Sequence, residues 1–353
     1  MADVALKNIT KRFKTVTALK NVSFDIKDGE FFVLLGPTGA GKTTTLRVIA
    51  GLEKPDGGSV LFDGQPVDHL TPSDRDVAFV FEQYSLYPSM SVYDNLAFPL
   101  RSPLRNLSKD EIDRRVRETA RKLRIEHLIE RTTAHLSGGE MQRVSLGRAL
   151  VREPRLFLMD EPLSNLDAKL REALRVELKH LQKAQGSTTL FVTHDQIEAL
   201  TMGDRIAVLN KGSIVQIGTP EDIYDRPATT FVAQLVGTPR INLHEATRED
   251  DTLHVVDSTI HLPMPGKEAL PSSFLLGVRP EDVQIHSEGD FPGEIVLTEP
   301  LGVETILHIK AGEKTMLSLV PGMTTLRIGD QVRFNIIRQR LHYFRLDGTR
   351  ISV

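Results

Sequence analysis

The sequence has no cysteine among its 353 residues, which excludes disulfide bridges, thiolate-bound zinc, iron–sulfur clusters and thiol nucleophiles. It also lacks a strong excess of charge, because 44 Lys and Arg residues stand against 47 Asp and Glu residues. Coating a nucleic acid needs a basic surface, so this balance argues against that class of protein. Hydrophobic residues at 40% and charged residues at 26% are typical of a globular protein.

Long apolar runs are missing as well. The longest stretches, such as residues 31–35, are far shorter than the roughly 20 residues that span a bilayer. Residues 1–10 contain neither an extended apolar segment nor a small-residue cleavage site, so we expect no secretion signal. Any role at a membrane would therefore depend on another chain.

The pattern of the sequence changes near residues 237–243, and the length of the chain predicts two or three domains. Before this point, helical patterns alternate with short apolar runs that predict buried parallel strands, at 31–35, 155–159, 188–192 and 205–209. After it, alternating polarity at 332–336 and regularly spaced glycines predict a small all-β barrel or sandwich. We therefore expect an α/β domain over 1–237 and a β-rich domain over 238–353.

Residues 36–43 read G-P-T-G-A-G-K-T, which is the pattern of a phosphate-binding loop, and they follow an apolar run. Glycines let successive backbone N–H groups face phosphate oxygens, and a helix beginning near Lys42 adds the positive end of its dipole. We expect Lys42 to reach the β- and γ-phosphates and Thr43 to ligate Mg²⁺. The predicted ATP-binding residues of this loop are Gly36, Pro37, Thr38, Gly39, Ala40, Gly41, Lys42, Thr43 and Thr44.

Two carboxylates, Asp160 and Glu161, follow the apolar run 155–159. Asp160 is placed to hold Mg²⁺, and Glu161 to orient or deprotonate a water molecule. Alone, such a pair fits a solvated loop end equally well. The phosphate-binding loop upstream favours the nucleotide site.

A third element, L-S-G-G-E at residues 136–140, opens a predicted helix. Small residues at a helix N-terminus form an anion site, although such a string is more often only a loop and a cap. The chain already has one such site in its phosphate-binding loop. A second site therefore indicates a nucleotide shared between two subunits.

In order and spacing, these motifs resemble those of the ATP-binding cassette (ABC) ATPases, together with segments 158–162, 164–167 and 193–195. Segment 212–242 and G-V-R-P-E at 277–281 are similar to the carbohydrate-importer branch, which includes maltose and glycerol-phosphate importer ATPases. The resemblance implies an α/β P-loop (RecA-like) cassette with a helical subdomain at about 84–153. It also implies a C-terminal all-β, oligonucleotide-fold-like regulatory domain.

The resemblance further implies a head-to-tail homodimer that holds two ATP molecules with Mg²⁺. Ser137, Gly138 and Gly139 of one subunit would contact the γ-phosphate bound by the other. Phe13 matches the aromatic residue that stacks on adenine, although it would also fit the core of an N-terminal strand. His194 matches the histidine that contacts the γ-phosphate and the attacking water, and Asp167 lies in the loop that couples the two sites.

Two positions depart from the family pattern. Glu82 stands where the family usually has Gln, and Gln83 follows it; either residue would serve as the Mg²⁺ ligand and γ-phosphate sensor, and alignment favours Glu82. Glu140 replaces the commoner Gln at the end of the signature sequence. We expect that position to lie away from the phosphate and the replacement to have little effect.

The resemblance implies an ATPase that drives carbohydrate import from the cytoplasmic side of the inner membrane. Its partners would be two transmembrane permease subunits, an extracytoplasmic solute-binding protein and, at the β-rich domain, a possible regulator. Segment 86–92 matches the surface that receives the permease, although such apolar segments are usually core. Basic residues at 114–124 alternate with acidic ones, which predicts a solvated helix face and no nucleic-acid contact.

Other classes remain open from the sequence. A soluble ABC ATPase without a permease usually has two cassettes or a coiled-coil insertion, and this chain shows neither. A P-loop kinase or small GTPase does not need the L-S-G-G-E helix. An exporter is a further possibility, and the imported solute itself, whether sugar, polyol or sugar phosphate, is not determined.

Overall fold

The computed structural model describes residues 2–264 and 270–352. The chain divides into two compact units, one up to Pro220 and one from Glu221 onward. The sequence-based boundary between residues 237 and 238 stays a prediction. Among the helices of the described residues, none has the length and hydropathy needed to cross a membrane.

The first unit contains a parallel and an antiparallel sheet with helices around them. Its strands are β1 Val4–Phe13, β2 Val16–Ile26, β3 Phe31–Leu35, β4 Gly57–Phe62, β5 Gln65–Pro66, β6 Val77–Val80, β7 Leu156–Asp160, β8 Thr189–Thr193, β9 Arg205–Asn210 and β10 Ser213–Gly218. Its helices are α1 Lys42–Ile49, α2 Val92–Ala97, α3 Lys109–Lys122, α4 Gly138–Leu150, α5 Ala168–Gln185 and α6 Gln196–Met202. Short 3₁₀ turns occupy Phe98–Leu100, Pro103–Arg105, Glu126–Leu128 and Thr133–His135.

The central sheet has the strand order β10-β9-β3-β8-β7-β6. All neighbouring strands from β9 to β6 pair in parallel, and β10 pairs antiparallel with β9. Every residue of β3, β7 and β8 is buried, as expected for parallel strands covered on both faces. The buried parallel strands predicted from the apolar runs are therefore confirmed.

The antiparallel sheet has the order β2-β1-β4-β5 and shares one apolar core with the central sheet and α1. Ile9 of β1, Phe32 of β3 and Leu46 of α1 are fully buried members of this core. Burying aliphatic and aromatic side chains of this size stabilises the fold by roughly 1.5–3 kcal/mol each. The core thus fixes the strand and the helix between which the phosphate-binding loop lies.

Helices α2, α3 and α4 lie between β6 and β7 in the chain, within the region predicted as a helical subdomain. Ser108 caps α3 by accepting a hydrogen bond from the backbone N–H of Glu111. On the exposed face of α3, Arg114 pairs with Glu118 and Arg117 with Asp113, one turn apart. This arrangement is that of a solvated, ion-paired helix face.

The second unit is rich in β-structure. Its helices are α7 Pro220–Asp225, which begins at the boundary, and α8 Thr230–Leu235. Its strands are β11 Asn242–Glu249, β12 Thr252–Val255, β13 His261–Pro263, β14 Ser273–Val278, β15 Val283–Ile285, β16 Phe291–Pro300, β17 Glu304–Ala311, β18 Lys314–Pro321, β19 Gln331–Ile336, β20 His342–Phe344 and β21 Arg350–Ile351. The 3₁₀ turns are Pro280–Asp282 and Arg338–Arg340.

The strands form two antiparallel sheets, with the orders β13-β12-β11-β14-β20-β21 and β15-β19-β16-β17-β18. One apolar core draws on both sheets, including Leu276 from the first and Leu307 from the second. The buried amide of Asn242 joins them: Nδ2 donates to Leu317 O at 2.9 Å, and Oδ1 accepts from Leu317 N at 2.7 Å. The predicted small all-β domain is therefore confirmed.

The G-V-R-P-E segment ties α7 and α8 to these sheets. The guanidinium of Arg279 is 1% exposed and donates to the carbonyl oxygens of Ala233, Val236 and Tyr224. It also lies 4.0 Å from the centroid of the Tyr224 ring. Because its N–H groups satisfy helix carbonyls, Arg279 is a buried clamp within the second unit.

Candidate functional site

Four loops of the first unit meet at the carboxyl edge of the central sheet. The neighbouring strands β3, β8, β7 and β6 lead respectively into the phosphate-binding loop, His194, Glu161 and Glu82. Carboxyl ends of parallel strands lie at one edge of a sheet, where α/β proteins bind their ligands. The structure thus brings together residues that are far apart in the sequence.

Two glycines of the phosphate-binding loop leave no room for a side chain. A Cβ atom on Gly36 would lie 2.3 Å from Leu209 O, and one on Gly41 would lie 2.7 Å from Ala18 O. Gly41 also has a φ of 111° and immediately precedes α1. α1 begins at Lys42, as predicted, so its N-terminal N–H groups open toward the loop.

Lys42 is the central cation of the site. Its side chain is 5% exposed, and Nζ donates to Gly36 O at 2.9 Å and Pro37 O at 3.1 Å. Nζ also lies 3.1 Å from Oε1 of Glu161. A buried ammonium needs such partners, and triphosphate oxygens offer equivalent ones.

Thr43 and Asp160 form the oxygen-rich part of the site. Thr43 Oγ1 donates to Asp160 Oδ1 at 3.1 Å. Burial raises the pKa of Asp160 to about 6, and the hydrogen bond from Thr43 opposes this shift. Among the described residues, no cluster of three or more His, Asp or Glu side chains could hold a metal ion alone. This set fits Mg²⁺, which commonly uses one or two protein oxygens and completes its shell with phosphate and water.

Glu161 and His194 form a hydrogen-bonded pair. His194 Nδ1 lies 2.6 Å from Glu161 Oε2. Glu161 has a φ of 45°, which is uncommon for a residue with a side chain. Its backbone N–H donates to Val192 O at 3.0 Å, and Ser164 Oγ donates to Glu161 O at 2.8 Å. These backbone bonds hold the unusual conformation and direct the carboxylate at both Lys42 and His194.

A cavity of about 700 Å³ covers this edge. Glu82, Glu161 and His194 line it, together with residues 38, 39 and 41–44 of the phosphate-binding loop; residues 36, 37 and 40 of that loop do not. Gln83 and Phe13 do not belong to the lining. Phe13 is 41% exposed at the end of β1, opposite Val16, and Val16 itself lines the cavity.

Two segments of the cavity wall were not predicted as ATP-binding, namely 16–18 with Lys20, and 211–212. Lys20 N donates to Gly212 O at 2.7 Å, and Gly212 N donates to Ala40 O at 2.9 Å. The turn between β9 and β10 is thereby fixed against the phosphate-binding loop. The sequence does not show that these residues approach the phosphate-binding loop. The glycine at 212, whose φ is 82° in the structure, is the one hint of a tight turn there.

The signature residues lie at the start of α4. Ser137 caps this helix, and Oε2 of Glu140 accepts from Ser137 N at 2.7 Å and from Ser137 Oγ at 2.8 Å. The hydrogen bond from the Ser137 backbone lowers the pKa of Glu140, so this carboxylate is ionised. None of Ser137, Gly138, Gly139 and Glu140 lines the 700 Å³ cavity of their own chain.

The loop between Glu161 and α5 connects several of these parts. Asp167 caps α5, with Oδ1 accepting from Leu170 N at 3.0 Å. Asn165 Nδ2 donates to Glu82 O at 3.1 Å. The predicted coupling loop therefore contacts the segment that carries Glu82.

The segment predicted to receive a permease is partly exposed. Tyr87 of this segment is 38% exposed, and its ring centroid lies 4.6 Å from that of Phe98, which lies outside the segment and is 46% exposed. Beside them are cavities of about 200 and 740 Å³, and both are lined by Phe79, Phe81 and Pro99. The larger cavity is mainly apolar, whereas Ser145 and Arg148 make the smaller one more polar. Exposed aromatic residues beside such hollows are typical of a protein interaction surface.

A phosphate-binding loop beside a carboxylate–histidine pair is the site of a nucleoside triphosphate hydrolase. The family model for ABC transporters matches residues 19–164, and that for the TOBE domain matches residues 276–344. The chain belongs to the ABC transporter family of ATP-binding proteins, and it is an ATPase. The predicted family, fold class and ATPase activity are therefore confirmed.

Full-length relatives show the same membership. The chain is 45% identical to the trehalose/maltose import ATP-binding protein MalK of Thermococcus litoralis, over 98% of each chain. It is 43% identical to the sn-glycerol-3-phosphate import ATP-binding protein UgpC of Brucella abortus, over 100% of each chain. Among solved structures, the dimeric cassette MJ0796 bound to ADP and phosphate is 35% identical, with a TM-score of 0.56, covering 62% of this chain and 98% of that one.

Proposed function

We propose that this chain is the ATPase subunit of an importer for a carbohydrate-type solute, such as a sugar, a polyol or a sugar phosphate. The observation that carries the proposal is the meeting of Lys42, Asp160, Glu161 and His194 at one sheet edge, in a chain similar along its whole length to import ATP-binding proteins. The named solutes of those relatives support the carbohydrate class.

Each residue has a distinct part in hydrolysis. Backbone N–H groups of the phosphate-binding loop and Nζ of Lys42 bind the β- and γ-phosphates. Thr43 and Asp160, with Glu82 from the cavity lining, would hold Mg²⁺, which neutralises charge on the phosphates. Glu161 accepts a proton from the attacking water, and His194 orients Glu161 through their 2.6 Å hydrogen bond.

A homodimer is part of this proposal. Ser137, Gly138 and Gly139 lie outside the ATP cavity of their own chain, yet they form a capped helix N-terminus suited to an anion. In a head-to-tail pair they would complete the site of the other subunit. Completing a site in trans accelerates other NTPases by roughly 10³–10⁵-fold, so turnover should rise steeply with dimer formation.

The membrane partners are two permease subunits, to which an extracytoplasmic solute-binding protein delivers the solute. The surface around Tyr87 and Phe98, with its adjoining cavities, is the proposed permease-docking site. This places the chain peripherally on the cytoplasmic side of the inner membrane. Residues 238–353 are the proposed regulatory domain, where a regulator would bind.

The test is ATPase activity of the chain reconstituted in vesicles with candidate permease subunits. We expect stimulation by the binding protein loaded with one carbohydrate, and not by the empty protein. Glu161→Gln provides the hydrolysis-deficient control. A chain that purifies without any membrane partner and hydrolyses ATP independently of every solute would instead support a soluble ABC ATPase.

A further inference from the structure

The first turn of α5 touches the signature helix. Leu170 lies so close to Gly139 that a Cβ atom on Gly139 would be 2.2 Å from Leu170 Cδ2. This contact joins the start of α4, which carries the signature residues, to the start of α5. Close-packed elements transmit displacement because there is no free space to absorb it.

Arg171, the next residue, touches both loops that carry the hydrolytic pair. One terminal nitrogen, Nη2, donates to Leu166 O at 3.0 Å and Ser164 O at 3.3 Å, in the loop that follows Glu161. The other, Nη1, lies 3.7 Å from Oδ2 of Asp195, which follows His194. A planar guanidinium with several fixed donors is suited to holding two loops in one geometry.

A small polar cavity of about 30 Å³ lies behind the pair. Its lining includes Glu161, His194, Arg171 and Glu198. Nε of Arg171 is buried and has no hydrogen-bond partner among the described residues. Because buried donors are nearly always paired, and this volume holds one water molecule, we expect a water to bridge Arg171 to the acidic wall.

Glu198, an acidic residue in the lining of this cavity, is held in a fixed position. It is 3% exposed, and its Oε2 accepts a hydrogen bond from Thr193 Oγ1 at 2.5 Å. Thr193 Oγ1 in turn accepts from Asp195 N at 2.9 Å. The segment around His194 is therefore fixed from one side by Glu198 and from the other by Arg171.

We propose that Arg171 is a positioning residue that couples the signature helix to the Glu161–His194 pair. When α4 engages the γ-phosphate of the other subunit, its displacement passes through Leu170 to the first turn of α5. Arg171 then carries this displacement to the loops after Glu161 and His194. The inference rests on the proposed roles of those two residues and of the signature helix.

The test compares Arg171→Gln, Arg171→Lys and the control Arg175→Gln, which lies one turn further along α5. Arg171 does not line the ATP cavity, so we expect Arg171→Gln to lower kcat about 10- to 100-fold while the KM for ATP changes less than about twofold. Arg171→Lys should recover part of kcat, because it keeps the charge but not the fork of donors. Arg175→Gln should behave as the unmodified protein.

Failure of this inference differs from failure of the proposed function. Unchanged kcat in Arg171→Gln, alongside loss of turnover in Glu161→Gln, would overturn the role of Arg171 alone. Normal turnover in Glu161→Gln would instead overturn the proposed catalytic base. Should Arg171→Gln not fold, Leu170→Ala tests the same path: we expect retained ATP-dependent dimerisation with reduced kcat, and wild-type kcat would overturn the coupling.

Discussion

The two oxygens of the Glu161 carboxylate face opposite partners: Oε2 lies 2.6 Å from Nδ1 of His194, and Oε1 lies 3.1 Å from Nζ of Lys42. One carboxylate therefore joins the loop after β8 to the lysine of the phosphate-binding loop. The γ-phosphate of ATP would compete with Glu161 for Lys42. On the proposed assignment, binding of ATP would free one carboxylate oxygen of Glu161 to face the attacking water.

Glu161→Gln tests this arrangement. The amide keeps the shape of the side chain but cannot accept a proton from water, so we expect kcat to fall about 10²–10⁴-fold. ATP binding should be kept or strengthened, because the competing charge beside Lys42 is gone, and the dimer should persist with ATP bound. Single-turnover hydrolysis and solution mass measure both effects, with exposed Glu172→Gln as the control. Near-normal turnover would refute the assignment of the base.

Glu82 and Gln83 can be separated by their effect on Mg²⁺. Glu82 lines the ATP cavity and Gln83 does not, so we expect Glu82→Gln to change the Mg²⁺ concentration needed for half-maximal activity. Removing a negative charge beside the triphosphate should also strengthen binding of ATP without Mg²⁺. Gln83→Ala should leave both quantities unchanged. The reverse pattern, with only Gln83→Ala altering the Mg²⁺ requirement, would assign the sensor role to Gln83.

Two buried groups give the second unit opposite pH responses. Burial raises the pKa of Asp282 to about 6, so the folded state holds its proton more tightly than the unfolded state. On its account, the free energy of unfolding falls as pH rises from about 4 to 6. Burial lowers the pKa of His342 to about 4, so on its account the free energy of unfolding rises with pH up to about 6.5.

These opposing slopes partly cancel in the unmodified chain. In Asp282→Asn only the slope from His342 remains, so we expect the free energy of unfolding of the second unit to rise with pH between about 4 and 6. In His342→Asn only the slope from Asp282 remains, so we expect it to fall with pH over the same range. Hydrogen exchange of backbone amides in β14 and β19 measures the stability of this unit within the full chain. Equal slopes in the two variants would show that these groups do not control its pH dependence.

Much of the site was predictable because its residues follow buried strands. Apolar runs at residues 31–35 and 155–159 identified parallel strands, and parallel strands place their carboxyl ends together. Lys42, Asp160 and His194 therefore had to lie close to one another once the strands were recognised. Their local motifs gave each a chemical role.

One missed feature depends on a contact between distant segments. Val16 and Lys211 line the same cavity although they are far apart in the sequence, and no local pattern records that contact. A second feature that was not predicted is local: the carboxylate of Glu140 accepts both the N–H and O–H of Ser137, three residues before it, in a capping box. Whether it also lies away from the phosphate of the other subunit stays a prediction.

Gly138 and Gly139 should respond differently to alanine. Ala favours a helix over Gly by about 1 kcal/mol, and a Cβ on Gly138 would approach only the Tyr84 hydroxyl, at 3.2 Å. A Cβ on Gly139 would collide with Leu170, which typically costs about 1–3 kcal/mol. Chemical unfolding should therefore show Gly139→Ala destabilised and Gly138→Ala unchanged or stabilised. Adding Leu170→Ala makes room for the new methyl group, so the double variant should lose little more stability than Leu170→Ala alone; additive losses would mean that the two side chains do not meet.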